Sequence, residues 1–150
     1  MGGNEELERS GTWKFDFTKL VQISRKLDPN NPVVPVVVQD VKTKDVLILA
    51  YANKQALEMT LETGMATFWS TSRNELWIKG KSSGDVLKIK DVRVNCEQNS
   101  LLYLVEPAKG GACHVQDKAG KSMVTCYYRR VTRDAATKNL GLEVLPGFDV

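Results

Sequence analysis

Residues 33–40 read VVPVVVQD and residues 45–52 read DVLILAYA, joined by the polar run VKTK. Both runs are short and rich in β-branched residues, so the pair is expected to form an antiparallel hairpin. On its N-terminal side the period changes: Phe17, Leu20, Val21 and Leu27 recur at helical spacing, and Asp28-Pro-Asn-Asn-Pro32 stops that helix. On its C-terminal side Asn53 supplies an N-cap, Ala56, Leu57, Thr60 and Leu61 share a helical face, and Gly64 ends it. Strand-like runs follow, ATFWSTS (66–72), ELWIKG (75–80), DVLKIKDVRV (85–94), SLLYLVEP (100–107) and MVTCYYRRV (123–131), bounded by Asn, Gly, Ser or Pro. Residues 134–150 show no strong period. Mostly antiparallel strands with two helices imply an α+β fold.

At 150 residues, with 42% hydrophobic and 26% charged residues, the chain suits one globular domain over 12–150 preceded by a polar, mobile tail over 1–11. A net charge of +3 spread along the chain favours an anionic small molecule over nucleic acid. No run approaches the roughly 18 apolar residues of a membrane span, and the N-terminus has no apolar signal core, so a cytoplasmic location without membrane contact is expected. In a reducing compartment three cysteines are not a disulfide framework; metal binding, catalysis and inert burial stay open.

Their placement narrows the choice. Cys96 lies in the polar run NCEQN (95–99), and Cys113 follows small residues in GGACH (110–114), directly before His114, the single histidine. Spacings of sixteen and twelve residues from Cys96 to Cys113 to Cys126 lack the C-x-x-C of structural zinc ribbons. Three thiolates on zinc would leave a fourth position for water, as in catalytic sites, and His114 is the one imidazole able to move a proton there. A structural zinc on a nucleic-acid-binding module is the competing reading, and it requires a fourth protein ligand and a clustered basic face.

From about Val33 to Arg130 the chain resembles the phosphoribosyl-AMP cyclohydrolases of histidine biosynthesis. The likeness is carried by residues 34–84, by VNCEQNSLLYLVE (94–106), GGACH and TCYYRR (125–130), and most specifically by W-S-x-S-R-x-x-L-W-x-K-G-x-x-S-G from Trp69. The resemblance implies zinc-dependent hydrolysis of the N1–C6 bond of the purine of 1-(5-phosphoribosyl)-AMP, by a homodimer whose zinc site is shared between subunits. Carried over by motif, the ligands are Cys96, Cys113 and Cys126, with His114 as acid or base. It also implies a magnesium site in an Asp-Cys-Asp-x-Asp run, here Asn95, Glu97 and Asn99 around Cys96; if extended, the run would put those three on one face and Cys96 on the other. With two carboxylates replaced by amides, magnesium is expected to bind weakly or through substrate phosphate. Trp69, Ser70, Ser72, Arg73, Trp77, Lys79 and Ser83 are the expected substrate contacts, the cations and hydroxyls for phosphate and the indoles for the purine. Residues Asp117–Lys121 are expected to form a hairpin tip that lengthens the loop between the second and third cysteines. A relative that keeps the fold and zinc while its activity has changed is a third reading that NCEQN leaves open.

Overall fold

The computed structural model describes residues 5–150. The expected hairpin is there: β1 (Val34–Asp40) pairs antiparallel with β2 (Val46–Ala52). After β2 come α3 (Lys54–Thr63), the hairpin β3 (Thr67–Ser70) and β4 (Glu75–Ile78), then β5 (Leu87–Val94) and β6 (Leu101–Pro107). The main sheet runs β2-β1-β6-β5, antiparallel except for the parallel β1–β6 pair. The chain is thus α+β with mostly antiparallel strands.

Val36 and Val38 alternate inward from β1, meet Ala50 and Ala52 of β2 and Tyr103 and Val105 of β6, and are covered by Ala56, Phe68 and Leu87. Helix α3 starts as the sequence indicates, because the Asn53 side chain accepts from the Ala56 amide at 2.8 Å, and ends on Gly64 at φ +72°. Its buried face is Ala56 and Thr60; Leu61, expected on that face, is exposed. Thr60 is buried because its hydroxyl joins the helix to β3, accepting from the Thr67 amide at 2.9 Å and donating to the Ala56 carbonyl at 2.8 Å.

Four expectations need correction. Helix α2 forms over Lys19–Lys26 as its spacing indicates, yet it buries no residue, and Phe17, Leu20 and Val21 stay exposed. The run MVTCYYRRV is a strand only from β7 (Arg129–Arg133); Met123–Tyr128 is irregular because it docks on the bulged edge of β2. Its partner is β8 (Leu140–Val144), in a stretch that shows no strong period because its strand is short and half exposed. The segment expected as a tail carries α1 (Glu5–Arg9), tied to the body by Tyr128, Arg129 and Leu142; residues 1–4 lie outside the described ones.

Candidate active site

The two later cysteines meet through a defect in the sheet. Val38 of β1 faces Ile48 while the next residue, Gln39, faces Val46, so Leu47 is the extra residue of a β-bulge on the edge strand β2. The carbonyls freed there hold the cysteine segment: Leu47 O accepts from the Cys126 amide at 2.8 Å, and Val46 O from the Thr125 hydroxyl at 2.7 Å. Cys113 arrives on the other arm of a hairpin whose ladder joins its amide and that of Ala112 to Met123 O, both at 3.0 Å. The expected tip at Asp117–Lys121 is present, with Asp117 Oδ1 accepting from the Ala119 and Lys121 amides, each at 2.9 Å. The tip bonds back to the C-terminal segment, the Lys118 amide donating to Asp149 O at 2.8 Å, while the base of the hairpin holds the thiols together.

Each thiol changes the other's chemistry. Cys113, buried, accepts a hydrogen bond from Cys126, and this holds its pKa down to about 6 against the upward pull of burial. The Val115 amide and the charges of His114 and Lys79 add to the lowering. Cys126, whose residue surface is largely exposed, moves the other way, pushed up chiefly by that hydrogen bond and by the neighbouring Cys113 charge. The pair thus shares one proton, leaving a thiolate near neutrality. Two soft donors of this kind fit zinc.

Cys113 and His114 open onto a cleft of about 470 Å³, of the size that holds a small molecule. Of the expected substrate residues, Arg73, Trp77, Lys79 and Ser83 line it. Lys79 is buried, close enough to both thiols for its charge to act on them. Trp77 packs one side on the Phe68 ring, 5.6 Å between centroids. Trp69, Ser70 and Ser72 do not line the cleft. Ser70 sits behind it, its hydroxyl 3.4 Å from Arg73 Nε, while Glu75 takes the same guanidinium at 3.3 Å. The loop after Lys79 closes because Gly80, at φ +81°, lies against the backbone of Asp85; a Cβ there would sit 2.2 Å from the Asp85 carbonyl carbon.

Three groups at this site carry no sequence signal. Asp85 is buried in the cleft wall and accepts from the Ser122 hydroxyl at 2.8 Å, joining the β4–β5 loop to the cysteine hairpin. Glu8 reaches His114 across 106 residues. No spacing rule connects either pair.

Cys96 is elsewhere. It is exposed in the turn that joins β5 to β6, at the end of two strands on the far side of β1 from β2. Among the described residues no three His, Cys, Asp or Glu side chains of one chain gather closely enough to hold a metal ion. The run 95–99 is also not extended. Val94 and Leu101 face each other, so the chain must reverse between them, and the alternation expected for Asn95, Glu97 and Asn99 is replaced by a turn with Gln98 at φ +55°. Asn95 Oδ1 accepts from the Asn99 and Ser100 amides, both at 2.9 Å, and Asn95 Nδ2 donates to Asn99 Oδ1 at 2.6 Å. Glu97 accepts from Asn99 Nδ2 at 3.3 Å. The side-chain amides of Asn95 and Asn99 thus close the turn on itself.

The profile of the phosphoribosyl-AMP cyclohydrolase family matches residues 48–128, which include the cleft, Cys96 and the thiol pair. A phosphoribosyl-AMP cyclohydrolase of Archaeoglobus fulgidus is 49% identical over 102 residues, 68% of this chain and 88% of that protein. One from Chlorobaculum tepidum is 41% identical over 132 residues, 87% of this chain and 82% of its own length. A histidine biosynthesis bifunctional protein of Aquifex aeolicus is 40% identical over 114 residues, 76% of this chain and 53% of the longer protein.

Proposed function

The chain belongs to the phosphoribosyl-AMP cyclohydrolase family, a family of enzymes, and from that premise we propose that it opens the purine ring of 1-(5-phosphoribosyl)-AMP in histidine biosynthesis. Water oxygen adds to C6, the C6–N1 bond breaks and N1 takes up a proton, which gives the formimino-carboxamide ribonucleotide. The observation that carries this reading is the thiol pair Cys113–Cys126 beside His114 on a cleft lined by Arg73, Lys79 and Trp77.

In this reading Cys113 and Cys126 of one chain, with Cys96 of a second copy, would hold zinc. When bound, zinc supplies Lewis-acid activation of the attacking water. His114 takes a proton from the attacking water and returns one to N1. Lys79 and Arg73 meet the phosphate-bearing arms, with the Ser83 hydroxyl beside them, and Ser70 and Glu75 hold Arg73 in place. The Trp77 indole borders the purine. Trp69 and Ser72 lie outside the cleft lining of one chain.

A homodimer is supported by the lack of a third metal donor beside Cys113 and Cys126 among the described residues of one chain and by exposed apolar side chains at Phe15, Phe17, Leu20 and Val131. The turn at 95–99 supports weak magnesium binding, because the oxygens of Asn95 and Asn99 already accept hydrogen bonds and Glu97 alone brings charge. None of the described helices is long and apolar enough to cross a membrane. A cytoplasmic setting would keep the three thiols reduced.

The test follows the ultraviolet change as the purine opens, with zinc present and Cys126→Ala and His114→Ala as controls. Turnover that both substitutions abolish supports the reading. Turnover that survives both contradicts it.

A further inference from the structure

We propose that Glu8, outside the family-matched residues 48–128, is a positioning residue that fixes the orientation and tautomer of His114. The proposal rests on His114 being the acid or base of the reaction above.

His114 Nε2 lies 3.1 Å from Glu8 Oε1. Within its own chain the ring is 77% exposed at its side chain, so that chain fixes it through the Glu8 carboxylate and not through packing. Glu8, at 20%, is far better covered and does not line the cleft that His114 lines. It therefore holds the ring from behind the site, where it does not meet substrate.

The carboxylate is delivered by main-chain clamps, which separates it from an ordinary surface ion pair of two free side chains. Tyr128 Oη donates to Glu8 O at 2.6 Å. Arg129 straddles the same stretch, donating from Nη2 to Leu7 O at 2.8 Å and from Nη1 to Ser10 O at 2.9 Å. The Leu142 amide donates to Gly11 O at 3.0 Å. Tyr128 and Arg129 stand two and three residues after Cys126, so the segment that carries one thiol also fastens the arm that reaches the histidine beside the other.

The chemical consequence follows from the donor rules. An ionised carboxylate only accepts, so in the neutral imidazole Nε2 must carry the proton toward Glu8. Nδ1 is then the basic nitrogen left to exchange a proton with water and substrate. Without Glu8 the ring would rotate and populate both tautomers, and only part of the molecules would present a base in the right place.

The test compares Glu8→Ala and Glu8→Gln in the full chain with zinc supplied, folding being checked by circular dichroism. Because the chain has one histidine, its two ring nitrogens give the only imidazole signals in a 15N spectrum. Wild type should show protonated Nε2 and bare Nδ1; Glu8→Ala should show exchange between tautomers. Turnover of Glu8→Ala should fall roughly tenfold in kcat with KM within about twofold, and Glu8→Gln, whose amide oxygen still accepts, should recover most of the loss. Unchanged nitrogen shifts in Glu8→Ala, or an equal loss in both variants, would overturn the proposal. If wild type itself does not open the purine, the proposed reaction fails while the nitrogen shifts still decide whether Glu8 sets the tautomer.

Discussion

Cys113 and Cys96 are both loop thiols of one chain, and their surroundings are opposite. Cys113 is buried, hydrogen-bonded and pulled to a pKa of about 6, on a hairpin tied to the bulge of β2 and to Asp85. Cys96 is exposed on a turn whose hydrogen bonds run among its own neighbours. The first is built into the fold of its own chain and the second is held out from it. Among the described residues of one chain no three His, Cys, Asp or Glu side chains gather to hold a metal ion, so the zinc site proposed above would take its third thiol from a second copy.

The largest effect expected comes from the built-in side of the contrast. Cys113→Ala or Cys126→Ala should remove bound zinc and lower turnover by about a hundredfold or more, measured by metal content and the purine-opening assay. Cys96→Ala should cost as much activity while the metal-free protein keeps its melting temperature within a few degrees, because its exposed thiol makes no hydrogen bond among the described residues. A strongly lowered melting temperature for Cys96→Ala would erase the distinction.

A second effect concerns protons. In the native pair Cys113 titrates at about 6 and Cys126 above the ordinary thiol value, so between about 6 and that ordinary value the folded pair holds one proton where the unfolded chain holds two. Stability of the metal-free protein should therefore rise with pH over this window, and the gain from Cys113 should be lost as pH falls through about 6. Above the ordinary thiol value the unfolded chain loses both protons, and the raised Cys126 reverses the trend. Melting curves of wild type against Cys126→Ala across this range check it; a pH-independent difference would contradict the shared proton.

The legible part of the molecule is the part governed by local rules. The β1–β2 hairpin, the Asn53 cap and the Gly64 stop are each set by a few adjacent residues and stand where the sequence puts them. Strand β8 was not legible, since an exposed short strand has no buried face to impose a period. The irregular path of Met123–Tyr128 depends on an edge bulge 79 residues away, which apolar residues alone imitate as a strand. The motif residues Arg73, Trp77, Lys79 and Ser83 do meet around Cys113, whereas Asp85 and Glu8 join only through distant pairings.

The smallest expected effect lies in the turn. Restoring carboxylates with Asn95→Asp and Asn99→Asp removes the 2.6 Å amide bond and sets two like charges together. The metal-free double variant should lose about 1 kcal/mol in denaturant unfolding, and its activity should respond to lower magnesium than wild type does. An unchanged magnesium response would contradict the proposal that the amides of Asn95 and Asn99 weaken magnesium binding.

Subunit complementation tests the shared site most directly. Cys96→Ala and Cys126→Ala chains, each inactive alone, are unfolded together, refolded with zinc and assayed. If Cys96 serves a second copy, mixed dimers carry one complete site, and random pairing of equal amounts should restore about a quarter of wild-type activity. A mixture that stays as inactive as its components would contradict the shared site.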